Sequence, residues 1–184
     1  LHATSRLREF QIVNALKGHM PVPDAFWVDV LGEHLPYPGI VYGFASGVTK
    51  PSSARSGVSG LGTWMPEDVR KALSPQFVRD LATLHTFDFR NADLSSFDVP
   101  QLGTENAHWA VSWWDRVWAE DAQEEVPLMA LASSWLHKHA PAVDRLSIVH
   151  GDFRTGNYLS NEADLKITTW LDWERADASL QDFV

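Results

Sequence analysis

Apolar residues near the start of the chain recur at helical spacing: Leu7, Phe10, Val13 and Leu16 stand three positions apart, with Ile12 widening the stripe. The pattern predicts an amphipathic helix, and Gly18 supplies its stop. Glu9 lies one turn before Ile12 and Val13 and borders the buried face. It reads equally as a solvated helix-edge carboxylate or a buried ion-pairing group. Pro21-Val22-Pro23 then favours an extended path. Ala25 to Leu31 and Pro38 to Phe44 read as strands, paired antiparallel about a Gly32-Glu33-His34 turn. From Lys50 to Gly62 the chain is rich in Pro, Ser and Gly. Its Gly57, Gly60 and Gly62 lack a following Lys-Ser/Thr pair and a clean preceding strand, so the segment reads as a connector and not as a phosphate loop.

Helical spacing returns in three stripes. The first is Phe77, Val78, Leu81, Leu84 and His85, with Ser74 as N-cap and Pro75 at the first helical position. The second is Ala107, Val111, Trp114 and Trp118; the third is Leu128, Leu131, Ala132, Trp135, Leu136 and His139, closed by Pro141. Ser147-Ile148-Val149 reads as a short strand leading into His150. Two further strands, from Asn157 to Ser160 and from Lys166 to Leu171, form a hairpin about Asn161-Glu162-Ala163-Asp164. The order predicts an α+β protein: a small, partly β lobe over 1–47 and a mainly helical lobe over 48–184.

Composition narrows the function classes. The 15 Lys plus Arg against 24 Asp plus Glu leave a net charge of −9, which argues against a nucleic-acid partner. No cysteine is present, so thiolate catalysis and Cys-ligated zinc are excluded. No apolar run approaches the roughly 18 residues that span a bilayer, and no signal-peptide layout opens the chain; the expectation is a soluble, cytoplasmic protein without a membrane partner. Nine tryptophans, several within residues 109–135, read as fillers of a helical core more readily than as a stacking platform.

The chemistry concentrates in His150-Gly151-Asp152-Phe153-Arg154-Thr155-Gly156-Asn157 and in Asp172-Trp173-Glu174. Gly151 permits a sharp turn and puts Asp152 at the head of a loop. A hairpin closing about its midpoint sets position 157 opposite position 172. Directly opposed residues hold their Cβ atoms roughly 4.5–5.5 Å apart, close enough for one Mg²⁺, with ligand distances of about 2.0–2.1 Å, to bridge both side chains. An Asp five residues before an Asn, with another Asp after the next hairpin, is an arrangement used for phosphoryl transfer.

On these residues the chain resembles the aminoglycoside phosphotransferase and choline kinase family of protein-kinase-like enzymes. Leu81-Ala82-Thr83-Leu84-His85 looks like the helix preceding that family's catalytic loop, and the form His-Gly-Asp-Phe-Arg looks closest to phosphotransferases related to domains fused to acyl-CoA dehydrogenases. The resemblance implies Asp152 as catalytic base, Asn157 and Asp172 as Mg²⁺ ligands, and Arg154 as a charge near the transferred phosphate. It makes Glu9 the partner of a phosphate-binding lysine, Val41, Tyr42, Gly43, Phe44 and Ala45 the hinge that meets the purine, and Asp182 a brace for the catalytic loop. The implied donor is ATP or GTP and the implied acceptor a small-molecule hydroxyl, aminoglycoside-like or hydroxyacyl. His150 reads as a packing brace, and Arg154 has plainer partners in Glu174 or Asp177. The first lysine is Lys17, after Glu9, so the family's glycine-rich strands and lysine are missing, as are its last helices; we read the chain as lacking both ends. A pseudokinase-like binding module and, through His137, His139 and His150, a metal-dependent phosphoesterase stay open as alternatives. Oligomeric state is not legible.

Overall fold

A computed structural model describes residues 5–53 and 64–176. The glycines of the connector and Asp182 lie outside the described residues. Helix α1 spans Arg6–Leu16. The Ser5 hydroxyl caps it by accepting from the Arg8 amide at 3.3 Å, and Gly18, at φ 85°, turns the chain away. Ile12, Val13 and Leu16 are fully buried, as their spacing requires.

Strands β1 (Ala25–Asp29) and β2 (Gly39–Tyr42) pair antiparallel, Ala25 against Tyr42 and Asp29 against Gly39. The connecting turn is organised by the Asp29 carboxylate, which accepts from the amides of Glu33, His34 and Leu35 at 2.7–2.9 Å.

Helix α2 runs Glu67–Thr86 and corrects the expected start at Ser74: Pro75 lies inside it. An interior proline costs about 3 kcal/mol. Val69 and Leu73, both buried in the preceding turns, each return roughly 1.5–3 kcal/mol of burial and carry the helix through. The Gln76 amide nitrogen donates to the Ala72 carbonyl and to Leu165 O, both at 2.8 Å, while its oxygen accepts from Ile167 N at 3.0 Å. These bonds fasten α2 to the hairpin of β3 (Tyr158–Asn161) and β4 (Lys166–Trp170).

Helices α3 (Glu105–Asp121) and α4 (Pro127–Lys138) overturn the expected tryptophan core. Trp109, Trp114, Trp118 and Trp135 are 39–60% exposed, and Leu128, Leu131 and Leu136 of the third stripe also face solvent. The two helices meet through polar groups instead. His137 Nε2 stands 2.9 Å from Asp115 Oδ2, and its ring stacks on that of His108.

The buried tryptophans are Trp170 and Trp173, 0% and 1% exposed. Phe153 stacks on Trp170 at 3.7 Å, Phe77 meets it edge-on, and Trp170 Nε1 donates to Asp80 at 2.8 Å. Leu146, Ile148 and Val149 are buried but belong to no strand element, so the expected strand leading into His150 is not formed as one. One cluster thus joins α1, α2 and the hairpin, with Phe153 of the loop after His150 packed at its edge.

Candidate active site

The loop begins where buried His150 anchors it. His150 Nε2–H donates to Leu171 O at 2.8 Å, and Nδ1 accepts from the Asp152 amide at 3.3 Å. The ring is therefore neutral with its proton on Nε2, and burial pushes its pKa below the ordinary histidine value. This is the bracing role its sequence position suggested. Gly151 follows at φ 79°, and a Cβ there would lie 2.6 Å from Arg175 O. Only glycine lets the loop press this closely on the segment beyond Asp172.

Asp152 is gripped from two sides. Arg154 Nε donates to both carboxylate oxygens at 2.9 Å, and the Asn157 side-chain nitrogen donates to Oδ2 at 2.8 Å and to the Asp152 carbonyl at 2.9 Å. Partial burial acts to raise the Asp152 pKa, but these donors outweigh it and hold the carboxyl below its ordinary range. Arg154 thus pairs with Asp152 among the described residues; Asp177, also considered from sequence, lies outside them.

Asn157 is buried, and its carbonyl accepts from the Leu171 amide at 2.8 Å. The hairpin register sets Tyr158 against Trp170, so position 157 faces 171 and not 172. The ladder closes with Asn161 against Lys166, and the register shift between Leu159 and Ser160 brings position 157 one residue nearer to 172 than an unbroken ladder would. Asp172 is next in line, exposed and in left-handed backbone at φ 67°, ψ 48°. Among the described residues no group of three or more His, Asp or Glu side chains is arranged to hold a metal. One carboxylate and one amide oxygen is nevertheless a donor set that suits Mg²⁺, which keeps several waters and takes further oxygens from phosphates.

Glu9 is 8% exposed. Its carboxylate pairs with Arg6 of the same helix and accepts from Tyr42 Oη at 2.9 Å, and Arg6 Nη2 reaches Glu174 at 3.5 Å. Burial raises the Glu9 pKa, with Asp172 and Glu174 adding to it and Tyr42 and Arg6 opposing. In the expected hinge, Gly43 N donates to Asp24 O at 2.7 Å, Val41 is largely exposed and Phe44 is 97% exposed. Val48 exchanges two 2.9 Å backbone bonds with Ser160, which ties the end of this segment to β3.

The structure therefore joins Asp152, Arg154 and Asn157 directly, brings Asp172 beside them through Leu171, and reaches Glu9 and Tyr42 through Glu174 and Arg6. Sequence reading missed Arg6 and the Tyr42 side chain. The Arg6-to-Glu9 spacing of one helical turn was the available signal for the first.

Comparison with known proteins gives the family and the fold. The model of the phosphotransferase enzyme family (APH) matches residues 2–184. The chain belongs to that family. Its fold is the kinase-like fold of the aminoglycoside phosphotransferases: a Ralstonia eutropha protein assigned to those enzymes superposes at a TM-score of 0.73 with 24% identity, over 94% of this chain and 50% of that one. A complex of APH(2″)-IIIa with GDP and kanamycin superposes at 0.64 with 15% identity, over 93% and 56%. Among curated sequences, acyl-CoA dehydrogenase family member 11 of Pongo abelii is 30% identical over 57% of this chain and 13% of its own length. Mouse family member 10 is 24% identical over 91% and 15%. The chain spans about half of these solved structures and a small fraction of these curated relatives.

Proposed function

We propose that the protein transfers the γ-phosphoryl group of ATP or GTP to a hydroxyl of a small molecule. The observation that carries this reading is the convergence of Asp152, Arg154 and Asn157, with Asp172 adjoining, on one loop braced by His150. Asp152, kept ionised by its two donors, accepts the proton as the acceptor O–H bond breaks. The acceptor oxygen bonds to the γ-phosphorus, and the nucleoside diphosphate leaves with the bridging oxygen. Arg154, already beside Asp152, offers charge to the transferring group. Asn157 and Asp172 would hold Mg²⁺, which supplies charge neutralisation of the donor phosphates. Residues 1–47 serve the nucleotide side, with 41–45 meeting the purine, and residues 48–184 the catalytic side.

The solved relatives bound to GDP with kanamycin, and to AMP-PNP with hygromycin B, support a nucleotide donor and a hydroxylated acceptor. A cytoplasmic setting fits such substrates, and no helix among the described residues is long and apolar enough to cross a membrane. A second reading, a nucleotide-binding module without transfer, is favoured by one observation: the carboxylate of Glu9 is held by Arg6 and Tyr42. The phosphoesterase reading is disfavoured, because His137 bonds Asp115 in the α3–α4 pair, His139 bonds Trp135 O on its own helix and His150 bonds Leu171 O. Incubation with γ-labelled ATP or GTP and a panel of aminoglycoside and hydroxyacyl acceptors separates the first two. Label moving to an acceptor, and stopping when Mg²⁺ is chelated, supports transfer. Mg-nucleotide binding without label movement for any acceptor supports the module.

A further inference from the structure

The Asp172 backbone is left-handed, a conformation that residues other than glycine hold only where the surroundings fix it. On its amino-terminal side the fixing is plain: Leu171 donates to Asn157 O at 2.8 Å and accepts from His150 at 2.8 Å. On its carboxyl-terminal side Trp173 is buried, with Nε1 donating to Trp170 O at 2.9 Å. These bonds tie the segment to its own hairpin and to the catalytic loop. None of them ties it to α1, although α1 packs against the short turn Trp173–Arg175. That polar link comes from Arg6, whose guanidinium pairs with Glu9 through one nitrogen and with Glu174 through another at 3.5 Å. Glu9 in turn receives the Tyr42 hydroxyl at 2.9 Å, so a continuous polar chain runs from β2 through α1 to the residue two beyond Asp172.

We infer that Arg6 is a positioning residue for Asp172: by holding Glu9 and Glu174 together it sets the turn after Asp172 against α1, and so fixes the direction of the Asp172 carboxylate. The inference rests on the functional reading above for its meaning, since it makes Arg6 act through a proposed metal ligand. The charges of Asp172 and Glu174 both reach the Glu9 carboxylate. Without the cation between them, Glu174 has reason to swing away from α1 and take the turn with it. A planar guanidinium with several donors spans two carboxylates in a way a single ammonium does not.

The test compares Arg6→Ala, Arg6→Lys and the exchanged pair Arg6→Glu with Glu174→Arg, each in the full chain. Two measurements are taken: amide hydrogen exchange over residues 171–176, and calorimetric binding of MgATP and MgGTP. Arg6→Ala should speed exchange in that segment and weaken Mg-nucleotide binding about tenfold, the low end of what loss of a group supporting a metal ligand costs. Arg6→Lys should fall between, and the exchanged pair should recover both readouts. A thermal midpoint near that of the parent separates this from general unfolding, since a partly exposed pair contributes little to stability. Unchanged exchange and unchanged binding in Arg6→Ala overturn the inference alone. A parent that binds no Mg-nucleotide overturns the functional reading, and the exchange measurement then still decides whether Arg6 holds the segment.

Discussion

At the scale of single residues, the behaviour of Asp152 follows from two neighbours. Burial pushes its pKa up, and the Arg154 and Asn157 donors push it down further than burial raises it. The proposed role as general base requires it ionised, so the acid limb of the rate profile should fall below the ordinary aspartate range. Removing the cation in Arg154→Ala favours the protonated form, and the limb should move to higher pH; a profile of kcat/KM from about pH 4 to 8 checks this. Asp29 gives a second pH effect with no bearing on catalysis. Burial opposes its charge, but the backbone amides of Leu35, His34, Glu33 and Gly32 bring its pKa from 3.8 down to about 2. A depressed folded-state value means the carboxylate stabilises the fold above pH 3.8, and that stability drains away as pH falls towards 2. Asp29→Asn should flatten the acid side of a thermal-midpoint curve over that window.

At the scale of elements, the junction between Gly151 and the segment after β4 is the closest approach at any described glycine. Gly151→Ala places a Cβ 2.6 Å from Arg175 O in a left-handed backbone, and should cost about 2 kcal/mol or more, read from the urea midpoint. The same scale shows what was legible in sequence. Period-two and period-3.6 patterns located α1, both hairpins and most of α2, because each has one face in the core. The failures have physical causes. Pro75 reads as a helix start when only local rules are applied, and burial of Val69 and Leu73 overrides them. The stripe on α4 predicts a buried face, yet among the described residues the contact with α3 is made by His137, Asp115 and His108. Periodicity reports which face is apolar, not which face has a partner. The site was more legible than its supports. Asp152, Asn157 and Asp172 are close in sequence or linked by one hairpin, whereas the Arg6 to Glu174 contact crosses most of the chain.

At the scale of the molecule, a single buried cluster runs from Ile12 on α1 to Leu84 on α2 and to Trp170 and Trp173 at the hairpin. The proposed division at residue 47 therefore separates roles more than cores. Truncation on the α1 side should be felt by the loop headed by Asp152: Ile12→Ala, at a fully buried position, should lower stability by about 2–5 kcal/mol in chemical denaturation. The exposed tryptophans of α3 and α4 stand apart from this cluster and add nothing to it.

The central claim is that the loop headed by Asp152 moves a proton during phosphoryl transfer from a Mg-nucleotide. Its most direct test is the rate of γ-phosphoryl transfer by Asp152→Asn against the parent, both at saturating Mg-nucleotide with an acceptor the parent uses. The account predicts unchanged nucleotide affinity and a rate lower by roughly 10²–10⁴-fold. A variant that transfers phosphate as fast as the parent would contradict it.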